Sequence, residues 1–140
     1  VACASIHGNT KKAAEKMIEI LKAKSAKKVA FTDLTRDDMS EAIEDAFRYD
    51  KLILAASSYD AGVFPPMEDF LNRLSHKTYQ NRKVGIIENG SWAPSAAKTM
   101  KGIVETFKNV AICEQTVTIK STMKAADVEA IEKLAEEILS

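Results

Sequence analysis

A short polar segment near the start of the chain carries residue types that bind phosphate groups. It reads Ser5, Ile6, His7, Gly8, Asn9 and Thr10, and it leads into an amphipathic helix. Backbone N–H groups and the positive end of the helix dipole meet at a helix start, so an anion is stabilised there. Gly8 lets the backbone approach a ligand closely, and the hydroxyls of Ser5 and Thr10 can donate hydrogen bonds. An ordinary helix cap by Asn9 or Thr10 explains the same residues, and this segment alone leaves both interpretations open.

Other phosphate and metal chemistries lack their motifs in this sequence. The segment has no Gly-Lys-Ser/Thr, which excludes a nucleotide triphosphatase P-loop, and the dinucleotide fingerprint is missing as well. Lys11 and Lys12 are assigned to the solvated face of the helix. His7 and His76 are the only imidazoles, and no histidine–cysteine spacing indicates zinc, so no metal site is expected.

The elements that must position this segment alternate between short strands and amphipathic helices. Strands are predicted at residues 1–4, 28–34, 51–56, 84–88 and 110–119, and helices at 9–24, 37–49, 67–75, 95–108 and 126–139. Pro65 and Pro66 fit the first turn of the third helix. The alternation predicts an α/β fold, a parallel sheet with helices on both faces. Ligands in such sheets bind at the carboxyl ends of strands, so function is expected after strands one, three and four.

The composition limits the chain to one domain without a dominant charge. Its 140 residues, 46% of them hydrophobic, suit a single domain over residues 1–140 that buries its core without disulfides. Cys3 and Cys113 lie in apolar runs and are predicted to be reduced core thiols of a cytoplasmic protein. Twenty basic residues balance twenty acidic ones and are scattered, which argues against a nucleic-acid partner. No run approaches the roughly 20 apolar residues of a membrane span, so no membrane partner is expected.

The first segment, ending in Gly-Asn-Thr, resembles the flavodoxin signature that wraps the phosphate of flavin mononucleotide (FMN). The resemblance implies a flavodoxin-like three-layer sandwich whose five-stranded parallel sheet has the order 2-1-3-4-5. It also implies FMN as the cofactor, electron transfer as the function and no catalytic residue of the chain's own. By this likeness the phosphate contacts are Ser5, Ile6, His7, Gly8, Asn9 and Thr10.

The loop after the third predicted strand is expected to border the isoalloxazine ring. It contains Ser57, Ser58, Tyr59, Asp60, Ala61 and Gly62. A flavin ring needs apolar walls and a backbone group near its reactive nitrogen N5, and a peptide centred on Gly62 can reorient when N5 gains a proton. The first three residues are assigned to the ribityl chain or the phosphate, although a single serine here is more often a turn former.

The loop after the fourth predicted strand supplies an aromatic side chain. It comprises Asn89, Gly90, Ser91, Trp92 and Ala93. Trp92 is the only tryptophan, and stacking on a flat ring contributes about 0.5–1.5 kcal/mol beyond the burial of area. The alternative is a tryptophan that packs over the edge of the core. Backbone N–H groups between Gly90 and Ala93 are assigned to the carbonyl edge of the flavin.

Residues 57–71, with Gly-Val-Phe-Pro-Pro-Met-Glu-Asp-Phe-Leu at 62–71, are similar to the corresponding loop and helix of flavodiiron proteins. Gly-Ser-Trp at 90–92 resembles their Gly-Ser-Tyr segment. In that family the flavodoxin domain follows a metallo-β-lactamase-like domain whose diiron centre reduces dioxygen or nitric oxide. The resemblance implies a homo-oligomeric parent in which electrons pass from rubredoxin or a flavin reductase, through FMN, to iron across a subunit boundary. The start at Val1 and the balanced charge favour a piece of such a chain, which by itself transfers electrons only.

Three other functions are open at this stage. The chain could be an independent flavodoxin-type electron carrier, an FMN-dependent NAD(P)H:quinone reductase, or a structural module without flavin. A phosphate-accepting receiver domain is excluded, because Ser5, Ile6 and Ser57 occupy the positions at which it needs acidic residues.

Overall fold

The predicted alternation of strands and helices is present along the whole chain. The structure, a computed structural model, describes residues 1–6, 8–24, 26, 28–59, 62–90 and 94–140. The strands are β1 (Ala2–Ala4), β2 (Thr32–Asp33), β3 (Lys51–Tyr59), β4 (Gly62–Val63), β5 (Lys83–Asn89) and β6 (Ala111–Ile119). The helices are α1 (Asn9–Ala23), α2 (Met39–Arg48), α3 (Pro65–His76), α4 (Ala96–Val104) and α5 (Ala125–Leu139). No helix in these described ranges combines the length and apolar character needed to cross a membrane.

The sheet has the order β2-β1-β3-β5-β6, and these five strands are all parallel. This confirms the expected order 2-1-3-4-5, since the fourth and fifth predicted strands are β5 and β6. One element was not predicted: the two-residue strand β4, which pairs antiparallel with the end of β3. The sheet therefore has six strands rather than five.

Helices cover both faces of the sheet, as predicted. Successive residues of β3 point to opposite faces, so Leu52 and Leu54 pack into one apolar cluster and Ile53 and Ala55 into the other. The first cluster contains the buried residues of α2, α3 and α4, and the second contains those of α1 and α5. Cys3 and Cys113 are free thiols in the second cluster, as predicted, and burial raises the pKa of Cys3 to about 12 and that of Cys113 to about 11.

The second strand is much shorter than the predicted run over 28–34. Only Thr32 and Asp33 form ladder pairs, with Ala2 and Cys3 of β1. β2 lies at the edge of the sheet and has β1 as its single neighbour, so its length is limited by the three residues of β1. Residues 28–31 therefore run beside the sheet without strand geometry, although they have the composition of a strand.

The third strand is longer than predicted, and this changes the setting of three candidate residues. Ser57, Ser58 and Tyr59 were assigned to a loop, but they continue β3 to its end. Ser57 pairs with Asn89 of β5, and the next two residues pair with β4. The reason is that two partner strands extend beyond the apolar run from which the strand was predicted.

Strand β6 contains a bulge that a carboxylate from α5 completes. Val84 pairs with Ile112 and Ile86 with Thr116, so one residue of β5 stands opposite three residues of β6. The bulged backbone N–H groups of Glu114 and Gln115 donate to the Glu137 carboxylate, over 2.6 and 2.9 Å. Mainly the bond from Gln115, against the opposing effect of desolvation, holds the pKa of Glu137 below its ordinary value of 4.5.

Candidate functional site

The first loop brings backbone donors to the start of α1. Gly8 precedes the helix with a φ of 86°, a left-handed conformation that glycine adopts without strain, and its N–H donates to the Ser5 hydroxyl over 2.9 Å. No side chain among the described residues caps α1, and its first turn contains no acidic residue. The N–H groups of this turn are therefore available to an anion.

The other helix starts are satisfied by the protein itself. Asp38 caps α2 by accepting the N–H of Ser40, and Asp127 accepts the N–H of Lys124 in a capping box at α5. Pro65 and Pro66 begin α3, where a missing N–H costs nothing. The first amides of α4 donate to Ser58. Among the described helices, α1 is the one that begins without a cap from a described side chain and without proline in its first turn.

A buried hydroxyl pair links the first loop to the third strand. The Thr10 and Ser57 hydroxyls lie 2.9 Å apart and are both buried, although 47 residues separate them in the chain. The N–H of Ile6 points to the same Ser57 oxygen over 3.4 Å. Two neighbouring hydroxyls can each turn a proton outward, so the pair can donate to an anion above it.

Ser58, the next residue of β3, faces the opposite side of the sheet. Its hydroxyl oxygen accepts the N–H of Ser95 over 2.8 Å and that of Ala96 over 3.1 Å. Ser95 in turn donates its hydroxyl to the carbonyl of Gly62 over 2.7 Å. The end of β3, the start of β4 and the start of α4 are thus tied together.

Tyr59, which was assigned to the ribityl chain or the phosphate, lies at the end of β3. The side chain is 50% exposed and packs against Phe64, with ring centroids 5.8 Å apart. Tyr59 and Ile6 are the two exposed large hydrophobic residues in the described part of the chain. Both belong to segments of the candidate site, so the apolar surface exposed there is available to a ligand.

The end of β5 contributes a close backbone approach. A Cβ atom added at Gly90 would lie 2.9 Å from the Ser58 hydroxyl and 3.1 Å from Pro94 Cα, so only glycine fits. Asn89 is buried, donates to the carbonyl of Ser121 over 2.8 Å and accepts its N–H over 3.3 Å. Glu88 is also buried, where it accepts the N–H of Ala97 and the Thr118 hydroxyl, so it has a structural role.

These strand ends surround one cleft of about 240 Å³ at the carboxyl edge of the sheet. Eight predicted site residues line it, together with one that was not predicted: Ser5, Ile6, Asn9, Thr10, Ser57, Ser58, Asn89, Gly90 and, unpredicted, Ser121. The predicted residues Gly8, Tyr59 and Gly62 are described but are not among the residues that line it. Ser121 follows β6, and the rule that parallel strands end at one edge would have found it had the last strand been included. Six predicted residues lie outside the described residues: His7, Asp60, Ala61, Ser91, Trp92 and Ala93.

The charges near the first loop are partly neutralised. The Lys11 ammonium, assigned to the solvated face of the helix, lies 3.6 Å from the carboxylate of Asp33 at the end of β2, and its side chain is 37% exposed. Burial acts to raise the pKa of Asp33, but hydrogen bonds from Thr35 and the charge of Lys11 outweigh it and hold that pKa below 3.8. No group of three or more metal-binding side chains occurs in the described ranges.

The comparisons with known proteins are structural, because no protein-family model and no curated protein matches the sequence. Rubredoxin oxygen:oxidoreductase from Desulfovibrio gigas has a TM-score of 0.90 and 17% identity, over 98% of this chain and 34% of that chain. Oxidised flavodoxin 1 from Bacillus cereus has a TM-score of 0.82 and 17% identity, over 99% of this chain and 94% of that chain. A mutant flavo di-iron protein from Thermotoga maritima has a TM-score of 0.79 and 23% identity, over 99% of this chain and 34% of that chain.

The chain therefore spans about a third of the oxidoreductase and the flavo di-iron protein, and nearly all of the flavodoxin. The matches cover 98–99% of this chain. Identities below a quarter establish the architecture. The chain has the flavodoxin-like α/β fold.

Proposed function

We propose that this chain binds one FMN molecule and transfers electrons through it. The observation that carries the proposal is the convergence of three strand ends on one cleft. There an uncapped helix start, a buried hydroxyl pair and the exposed apolar side chain of Ile6 stand together. A phosphorylated ligand with a flat apolar part needs these three features at once.

The phosphate end of the site is assigned to the first loop. Ser5, Gly8, Asn9 and Thr10 surround the free N–H groups of α1, and Ser57 supports Thr10 from below. Ile6 and His7 complete the loop in the proposal. The absence of an acidic residue in the first turn favours a dianion, because a carboxylate there would repel it.

The ring end is assigned to the second and third loops. Tyr59 offers apolar surface, and Gly62 offers a backbone group. Gly90 permits close approach, and the proposal extends to Ser58, Asp60, Ala61, Asn89, Ser91, Trp92 and Ala93. The cleft of about 240 Å³ is smaller than the roughly 300–1,000 Å³ of pockets that enclose a whole ligand. It therefore suits the phosphate and ribityl chain, with the ring at its mouth.

FMN supplies reversible one- and two-electron chemistry when it is bound. The chain's own residues bind and orient it: backbone and hydroxyl donors fix the phosphate, and apolar side chains exclude water from one part of the ring. No acid–base pair is needed for this role, and both carboxylate oxygens of Glu88, the neighbour of Asn89 in β5, are already hydrogen-bonded.

The test is reconstitution of the purified chain with FMN. FMN has about 30 non-hydrogen atoms, and at about −0.3 kcal/mol per atom sub-micromolar binding is feasible. Titration should quench Trp92 fluorescence with a one-to-one end point and shift the visible bands of the flavin. Inorganic phosphate at millimolar concentration serves as a competitor for the first loop alone. A chain that leaves micromolar FMN free would overturn the proposal.

We further propose that the chain is the flavin domain of a flavodiiron-type oxidoreductase. In support, its fold matches the corresponding third of the rubredoxin oxygen:oxidoreductase with a TM-score of 0.90, and its formal net charge is zero. The donor would be rubredoxin or a flavin reductase, and the acceptor a diiron domain in a homo-oligomeric parent. Rapid oxidation of reduced rubredoxin by the FMN-loaded chain is the expected result.

An independent flavodoxin-type carrier is the second candidate, since the chain also matches 94% of a complete flavodoxin. Under that candidate, reduced rubredoxin would react slowly, and a flavodoxin reductase would reduce the bound FMN instead. The two donors, tested side by side on the same preparation, separate the candidates. NADPH consumption in the presence of a quinone would indicate the quinone reductase in place of both.

A further inference from the structure

Ser95 uses its hydroxyl in an unusual way for a residue that begins a helix. Serine at this position normally caps its own helix by accepting an N–H of the first turn. Here the hydroxyl makes no such bond. Instead it donates to the carbonyl of Gly62 over 2.7 Å, 33 residues away in the chain.

The capping role has been taken over by the third strand. The Ser58 hydroxyl oxygen accepts the N–H groups of Ser95 and Ala96, over 2.8 and 3.1 Å. Thr99 donates its hydroxyl to the carbonyl of Ser95 over 3.2 Å, which holds that residue from the helix side. Because Ser58 satisfies the start of α4, the Ser95 hydroxyl is free to hold Gly62.

The bond joins the ends of two segments. Gly62 directly follows residues 60–61, and Ser95 closely follows residues 91–93. Those are the segments to which the proposed function assigns the flavin ring. We infer that Ser95 is a positioning residue for the ring half of the site, which fixes the Gly62 backbone relative to α4 before the ligand binds. The inference rests on the proposed function.

The phosphate half of the site is held by a separate set of bonds. Neighbouring strand residues point to opposite faces of a sheet, so Ser57 reaches Thr10 of α1 while Ser58 reaches the start of α4. No hydrogen bond of Ser95 involves Thr10 or Ser57 in the described structure. The two halves can therefore be weakened one at a time.

The experiment measures the dissociation constants of FMN and of riboflavin, which lacks the phosphate, for matched variants. Wild-type binding of both ligands is established first, so failure of the proposed function is seen separately. Ser95→Ala is expected to weaken both ligands by the same factor, about 2- to 13-fold for one lost hydrogen bond. Ser95→Thr, which keeps the hydroxyl, should restore both constants to within about twofold of wild type.

Thr10→Val provides the opposite pattern as a reference, because it should weaken FMN and leave riboflavin unchanged. Urea unfolding of the ligand-free variants checks that each is folded. If Ser95→Ala unfolds, Ser95→Cys keeps the side-chain volume with a much weaker donor and takes its place. The inference would be overturned if Ser95→Ala bound riboflavin as tightly as wild type and lost affinity for FMN alone. It would also be overturned if Ser95→Thr failed to restore the two dissociation constants.

Discussion

The two ends of the parallel sheet both open into cavities, and their chemistry differs. At the amino ends of the strands a cavity of about 490 Å³ is lined mostly by aliphatic side chains, among them Val1, Leu21, Val29, Ile53 and Ile138. At the carboxyl ends the cleft has about half that volume, and serine, threonine and asparagine side chains dominate its lining. None of the predicted site residues that the structure describes borders the larger cavity.

The direction of the strands explains the difference. In a parallel α/β sheet every helix that follows a strand begins at the carboxyl edge, so N–H donors and positive dipole ends collect there. Helix ends, which expose carbonyl groups, collect at the other edge. A ligand with negative charge is therefore directed to the smaller cleft, and cavity volume alone is a poor guide to function.

Of the substitutions that distinguish the carboxyl end of the sheet from its amino end, the largest effect on FMN affinity is expected at Thr10. Thr10→Val removes a hydroxyl assigned to the phosphate while keeping the shape of the side chain. One hydrogen bond to a charged group contributes about 1.5–3 kcal/mol, so FMN affinity should fall about 10- to 100-fold. The matched control is Val29→Thr in the larger cavity, which should leave the FMN titration unchanged. Equal losses in the two variants would remove the distinction between the ends.

The close packing at the cleft is tested by a pair of glycine substitutions. Gly90→Ala places a Cβ atom 2.9 Å from the Ser58 hydroxyl and should lower the free energy of unfolding by about 1–3 kcal/mol. Gly102→Ala adds a methyl group on the exposed face of α4, with nothing within 4 Å, and should raise it by up to about 1 kcal/mol. Urea denaturation of both proteins gives the comparison. A fully stable Gly90→Ala protein would contradict the geometry.

The assignment of the phosphate to the uncapped start of α1 is tested by adding a carboxylate there. Gly8→Asp places a carboxylate before α1, whereas Gly8→Asn imposes the same left-handed backbone strain without the charge. The aspartate variant should bind FMN about 10-fold more weakly than the asparagine variant, since like charges repel at this distance. Riboflavin should bind the two alike. Isothermal titration with both ligands measures the difference, and identical FMN constants would argue against a phosphate at α1.

The smallest effect is expected at Glu137, near the other end of the sheet. Glu137→Gln weakens the support of the β6 bulge and should cost about 1 kcal/mol or less at neutral pH. Because the pKa of this carboxyl is lowered from 4.5, its contribution is complete above that pH and is lost as the pH falls through the lower folded value. The difference in urea midpoint between variant and wild type should therefore shrink in acid. A difference that stays constant as the pH is lowered through the titration of this carboxyl would show that the charge is not involved.

The sequence alone was sufficient for the fold class and for the regions of the site. Apolar periodicity located all five helices and the five parallel strands, and Pro65 and Pro66 begin α3 as predicted. The polar residues at 5–10, 57–58 and 89–90 were singled out because they follow predicted parallel strands, whose carboxyl ends are where ligands bind in such sheets. The two-residue β4 was missed and β2 was predicted too long, since each depends on the length and position of a neighbouring strand.

The tertiary structure decided which polar groups form hydrogen bonds with each other. Thr10 and Ser57 are 47 residues apart, Ser95 and Gly62 are 33 apart, and Asn89 reaches Ser121 across 32. Local patterns encode period and polarity, whereas these pairs depend on strand register and on the face to which each residue of β3 points. The sequence by itself thus determined an alternating α/β chain with polar strand ends. Only the packed sheet shows that Ser57 and Ser58 point to opposite faces, where Ser57 contacts Thr10 and Ser58 contacts the start of α4.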